Sequence, residues 1–124
     1  MSAHIVVVHD DRTLADEVSA ALRAIGHQVA AFPDPLRAGY ALKAGHTVDV
    51  LITRLSFADG LSNGVSLAMM AINRRPTIKV LFVAREENRS HAQGIGEFLP
   101  MPAAVPDIVT AVERLLAAPS LRAD

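Results

Sequence analysis

The chain has 124 residues, 12 Lys and Arg against 13 Asp and Glu for a formal net charge of -1, and no cysteine. That length suits one domain with a single core and leaves no room for a separate effector domain. The charge balance, with no basic run, argues against nucleic acid as a direct partner. The missing cysteines exclude disulfides, thiolate metal sites and thiol catalysis, and they fit a reducing compartment.

No charged segment followed by an apolar core opens the chain, and no apolar run reaches about 18 residues. A soluble, cytoplasmic protein with no membrane contact is expected. Residues 4–9 (HIVVVH) read as a first strand ending in an acidic cluster, His9-Asp10-Asp11. Leu14, Val18, Leu22 and Ile25 then recur at helical spacing, with Asp11 or Thr13 as N-cap and Gly26 placed to end the helix. "HQVAAF" (27–32) reads as a second strand. A helix over 34–45 follows, with Asp34 as N-cap, Pro35 at its first position and Gly45 beyond its end. "VDVLITR" (48–54) gives a third strand, whose run Val50-Leu51-Ile52 suits a central position covered on both faces.

The polar loop "LSFADGLSNG" leads to a helix over about 64–74 that stops before Pro76. "IKVLFVA" (78–84) is a fourth, almost wholly apolar strand. The stretch 85–96 is polar, and its "GIGE" is a poor helix sequence, so any helix there is short. "EFLPMP" (97–102) holds a brief fifth strand, and Ile108, Val112, Leu115 and Leu116 mark the apolar side of a last helix ending near Ala118. Residues 1–118 are thus expected to form one domain and 119–124 a tail. Alternating strands and helices predict an α/β fold with an open, doubly wound parallel sheet. In such a sheet chemistry sits outside the carboxyl ends of the strands. Those ends carry His9, Asp10 and Asp11, then Arg54, then Ala84 and Arg85, then Pro100, Met101 and Pro102.

The succession "VVVHDD", "LADEVSAALRAIGH", "VDVLIT", "VLFVA" and "FLPMP" before a closing helix resembles the receiver domain of bacterial two-component response regulators, the chemotaxis-regulator-like family. The resemblance runs from His4 to about Ala118. It implies a flavodoxin-like sheet of five parallel strands in the order 2-1-3-4-5, flanked by helices. In that family an acidic pair after the first strand and an acceptor aspartate after the third hold Mg²⁺. A Ser or Thr ends the fourth strand, and a Lys before Pro follows the fifth. Each has a reason: the carboxylate attacks phosphorus, the metal offsets oxyanion charge, and hydroxyl and ammonium bind the phosphoryl oxygens.

Carried onto this sequence, the acidic pair falls on His9 and Asp10, the acceptor on Arg54, the hydroxyl on Ala84 and the lysine on Met101. Only Asp10 keeps the family's residue type. A guanidinium stays protonated and has no lone pair to offer phosphorus, so Arg54 cannot be the acceptor. A cation there makes Mg²⁺ unnecessary, and a bidentate pair from Arg54 to Asp10 or Asp11 would hold the site in one state. Phe98 falls on the family's aromatic switch position, with plain core packing as the competing reading. The fourth helix is expected to be shortened, which weakens any carry-over of the family's usual dimer face.

Plainer readings stand beside these. Asp11 is either a helix cap or part of a charge network, and Asp10 with Arg54 is either a lock or an ordinary ion pair worth at most about 1 kcal/mol. His9 with Asp10 suits a metal such as Zn²⁺ only if a third ligand is found, and no readable strand end supplies one. Asp49 lies at the wrong end of its strand and reads as a solvated edge residue, while Asp59 is on the correct side but in mid-loop. Three functions follow. The first is a stand-alone, phosphorylation-independent receiver-like module acting through protein contacts with a histidine kinase, another regulator or itself, with a homodimer among the options. The second is a phospho-accepting receiver using Asp59. The third is a small-ligand or metal-binding flavodoxin-like domain or enzyme, for which no Gly-rich phosphate loop, nucleophile elbow or triad spacing speaks. The first is preferred: a non-enzymatic protein with no cofactor.

Overall fold

The structure is a computed structural model that describes residues 2–45, 47–57 and 63–119. Its elements follow in chain order as β1 (His4–Val8), α1 (Arg12–Ala24), β2 (Gln28–Phe32), α2 (Pro35–Lys43), β3 (Val50–Thr53), α3 (Gly64–Arg74), β4 (Lys79–Arg85), a 3₁₀ turn (Glu86–Asn88), α4 (Arg89–Ala92), β5 (Glu97–Met101) and α5 (Val105–Ala117). All five strands pair in parallel in the order β2-β1-β3-β4-β5. The flavodoxin-like sheet anticipated from the resemblance is therefore present. β3 lies at its centre with every residue from Val50 to Thr53 buried.

Alternation along the strands divides the core into two layers. Val6, Val8, Leu51, Val80 and Phe82 pack under α2 and α3, while Ile5, Val7, Ile52, Leu81 and Val83 pack under α1 and α5. Central strands with apolar side chains on both faces read as unbroken apolar runs, which is why β3 and β4 were legible in the sequence. The caps also follow local chemistry. Asp11 Oδ1 accepts from the Leu14 N–H at 3.1 Å and Asp34 Oδ1 from the Arg37 N–H at 2.9 Å. Gly26, at φ 101°, ends α1 in a left-handed conformation that L side chains resist.

The expected shortening of the fourth helix is observed, since α4 has 4 residues after a single 3₁₀ turn. β3 is shorter than the sequence suggested and begins at Val50, although the Asp49 backbone still donates to His4 O at 2.7 Å and accepts from the Lys79 N–H at 2.9 Å. The Asp49 carboxylate accepts the His4 N–H at 2.8 Å and lies 3.4 Å from Arg75 Nη2. Asp49 is thus a half-buried tie between β1, β3 and the end of α3 rather than a solvated edge residue, as position alone had suggested. Asp59 and residues 120–124 lie outside the described residues.

Candidate functional site

The carboxyl ends of β1 and β3 carry the site. Two backbone bonds extend the ladder beyond the strands, from His9 N–H to Phe32 O at 3.1 Å and from Arg54 N–H to Val8 O at 3.3 Å. They place His9, Asp10 and Arg54 side by side. Arg54 Nη1 donates to Asp10 Oδ1 at 2.7 Å, with each side chain largely shielded from solvent. The described contact uses one nitrogen and one oxygen, so the two-pronged geometry expected from the sequence is not the one found. Asp11 takes the other role considered for it. It is exposed and caps α1 rather than meeting Arg54.

His9 is 3% exposed. Its Nδ1 accepts the Asp11 N–H at 3.1 Å, so the ring proton of the neutral imidazole belongs on Nε2. Nε2 is buried and has no hydrogen-bond partner among the described residues. Burial first and the Arg54 cation second lower the His9 pKa to about 4, with Asp10 and Asp11 opposing the shift in part. At neutral pH the site therefore contains a neutral imidazole beside a carboxylate and guanidinium in contact.

The remaining candidates are apolar where the family is polar. Ala84 is 1% exposed and belongs to the core layer beneath α2 to α4. Met101 sits beside Arg85 in the β4–β5 register and packs against the opposite layer, under α1 and α5. The peptide between Met101 and Pro102 is cis. Phe98 is half-buried against the first layer, and the Arg89 guanidinium carbon stands 4.7 Å from its ring centroid. Glu86 holds that guanidinium through two bonds, at 2.5 and 2.8 Å, which keeps its own carboxyl below the usual range. Phe98 is thus covered by a cation–π contact that the Glu86 and Arg89 spacing allows but does not announce.

Another feature escaped the sequence reading. Gly64 opens α3 against the backbone of Arg54, so closely that a Cβ would overlap the Arg54 carbonyl. Its N–H donates to Leu55 O at 2.9 Å, and an isolated bridge joins Ser56 to Asn63. Asn63 then caps α3, its Oδ1 accepting from Val65 N–H at 2.7 Å and Ser66 N–H at 3.3 Å. The start of α3 thereby fixes the backbone on which Arg54 stands. The signal in the sequence was the Asn-Gly step at 63–64, which reads equally well as a turn.

A hard divalent cation such as Mg²⁺ seeks several oxygen ligands in near-octahedral array. The described residues give it Asp10, already bonded to a guanidinium, Asp11, turned to cap α1, and beside them an imidazole. Among the described residues no group of three His, Cys, Asp or Glu converges on a common point. This donor set does not fit Mg²⁺.

The parallel sheet in the order β2-β1-β3-β4-β5 with its flanking helices defines an open, doubly wound α/β fold, with the Arg54–Asp10 ion pair at the carboxyl ends of β1 and β3. No family model matches the chain, and no curated protein does. Solved structures do. A response regulator receiver protein from Sinorhizobium medicae WSM419 superposes with a TM-score of 0.84 at 23% identity, covering 94% of this chain and 96% of that one. The non-phosphorylated HemR receiver domain from Leptospira biflexa gives 0.80 at 23%, over 94% and 95%. A BeF3-activated DrrB receiver domain gives 0.78 at 21%, over 95% and 100%. The fold is that of response-regulator receiver domains.

Proposed function

We propose that this protein is a receiver-like module of two-component signalling, working in the cytoplasm through protein contacts without phosphorylation, enzymatic activity or Mg²⁺. The reading is carried by the 2.7 Å bond between Arg54 and Asp10. Arg54 stands where the resembling family has its acceptor, and its cation occupies the carboxylate that a metal would need. Electrostatically, the guanidinium does permanently what metal and phosphoryl chemistry do transiently in the family: it satisfies Asp10 and fixes the β3 end. Ala84 and Met101 supply no hydroxyl or ammonium for phosphoryl oxygens, which agrees with the same reading. Among the described residues no helix is long and apolar enough to cross a membrane. A histidine kinase, another regulator or a second copy is the kind of partner the fold suggests.

The test is a pair of amide-resolved NMR spectra, with and without Mg²⁺ and beryllofluoride, which a receiver domain of the same fold accepts in its activated form. Resonances at Asp10, Arg54 and Met101 are expected to stay in place at millimolar ligand. Saturable shifts there would overturn the reading. Acyl-phosphate labelling that survives Asp10→Ala but is lost in Asp59→Asn would replace it with phosphorylation at Asp59.

A further inference from the structure

Most large apolar side chains of a water-facing helix turn to the sheet, and exceptions gathered on one face mark contact surfaces. Here Leu36 and Tyr40 on α2 are 64% and 65% exposed, and Met69 on α3 is 56% exposed. Leu36 and Tyr40 are one helical turn apart and share the side of α2 opposite buried Ala38 and Leu42. Met69 likewise lies away from Leu67, Ala68 and Ala71, which face the sheet. The two helices run side by side in close contact: a Cβ on Gly39 would reach Met70 Cε at 3.6 Å. Tyr40 and Met69 each follow or precede that contact by one residue. The three side chains therefore stand on the outer surface of one two-helix layer.

Among the described residues the charge on this layer is predominantly positive, with Asp34 at the α2 N-cap as the acidic side chain beside it. Neither α2 nor α3 contains an Asp or Glu, whereas Arg37, Lys43 and Arg74 lie on them and are exposed. Arg37 approaches the capping Asp34 at 3.7 Å, and Arg74 reaches the Lys43 carbonyl. α5, by contrast, carries Asp107 and Glu113 against Arg114. We infer that the outer face of α2 and α3 is a docking surface for an acidic amphipathic helix of a partner protein, with Leu36, Tyr40 and Met69 as anchors and the flanking cations pairing with its carboxylates. This names the contact surface of the proposed function and rests on that reading.

The chemistry selects among occupants. A second copy placed by two-fold symmetry would set like charges against each other on this face. An anionic membrane is held by clusters of about four to eight Lys and Arg, more than this layer has. A helix laid along two packed helices places apolar anchors at i, i+3 or i+4 and i+7 in the groove, with tyrosine among the side chains that most often dominate such contacts.

The probe is a synthetic helical peptide of about 18 residues built from Leu, Ala and Glu, long enough to hold helix, with a second peptide in which Lys replaces Glu. Titrated against the full chain and followed by amide NMR, the acidic peptide should give saturable shifts centred on Leu36, Tyr40 and Met69. Its affinity should fall at least about tenfold in Tyr40→Ser with Met69→Ser, two exposed changes that spare the core, and the lysine peptide should bind at least about tenfold more weakly. Equal binding of both peptides, shifts centred on α1 and α5, or no saturable shift at millimolar peptide would overturn the inference. So would dimerisation, or binding to phosphatidylserine vesicles, that the same double substitution abolishes. A protein inert to both peptide and beryllofluoride loses this surface but keeps the contact-module reading; a protein that responds to beryllofluoride loses both.

Discussion

At the scale of single residues, the site is a problem in keeping charges compensated near a buried imidazole. Asp10 and Arg54 are each largely shielded from water, and removing either takes a 2.7 Å charge-assisted bond from a shielded charge, which costs more than the pair contributes. His9 deepens the constraint, because protonating it would put an N–H on Nδ1 against the Asp11 N–H donor and a charge beside Arg54. The unfolded chain takes up that proton near 6.5 and the folded chain near about 4. Between those values the unfolded state holds more protons, so His9 makes stability fall as pH drops through the window. The contribution is fully present above 6.5, is lost by about 4, and amounts to at most about 3 kcal/mol. Thermal melts from pH 7 to 4 should show a steep decline that is flatter in His9→Asn, whose side-chain carbonyl can still accept the Asp11 N–H. Parallel curves for the two proteins would mean that His9 is not the titrating group.

At the scale of elements, the arginine depends on the start of α3 as much as on β3. A Cβ at Gly64 has nowhere to go, since the atom it meets is the Arg54 backbone carbonyl and not a flexible side-chain tip. Gly64→Ala should therefore push α3 off the end of β3. Overpacking against backbone of this kind costs about 3 kcal/mol or more, whereas Asn63→Ala, which removes only the cap, should cost about 1 kcal/mol. Urea unfolding of the two variants checks the ranking, and equal losses would show that the close approach carries no strain. None of this was legible in the sequence, where Asn63-Gly64 looks like any turn. The caps at Asp11 and Asp34, by contrast, could be read directly, because they need only a short side chain and the next helical turn. Local chemistry shows in a sequence; contact between a loop and a helix start ten residues away does not.

At the scale of the molecule, the same distinction explains what could be read early. The parallel sheet was visible because strands buried on both faces are written as apolar runs, and the order of its strands came from resemblance. The ion pair could be anticipated, since two strand ends adjacent in such a sheet carry opposite charges. Its single-contact geometry and the role of Asp49 could not, because both are settled by side-chain reach and not by position. The sheet also sets where the molecule should open first. β1, β3 and β4 have near-continuous burial, whereas β2 and β5 lie at the edges with exposed or half-buried residues throughout. Only the single turn of α4 and the preceding 3₁₀ turn bridge β4 to β5. Opening free energy follows buried contact, so native-state hydrogen exchange should be slowest at Val7, Leu51, Ile52 and Leu81, and faster across β2, α4 and β5. Arg54→Leu should speed exchange at the ends of β1 and β3 while leaving the β5 amides unchanged, because the ion pair joins β1 to β3 and touches neither edge strand. Uniform acceleration through the sheet would instead show that the pair supports the whole fold, and the site would then be a structural clamp with no local state of its own to hold.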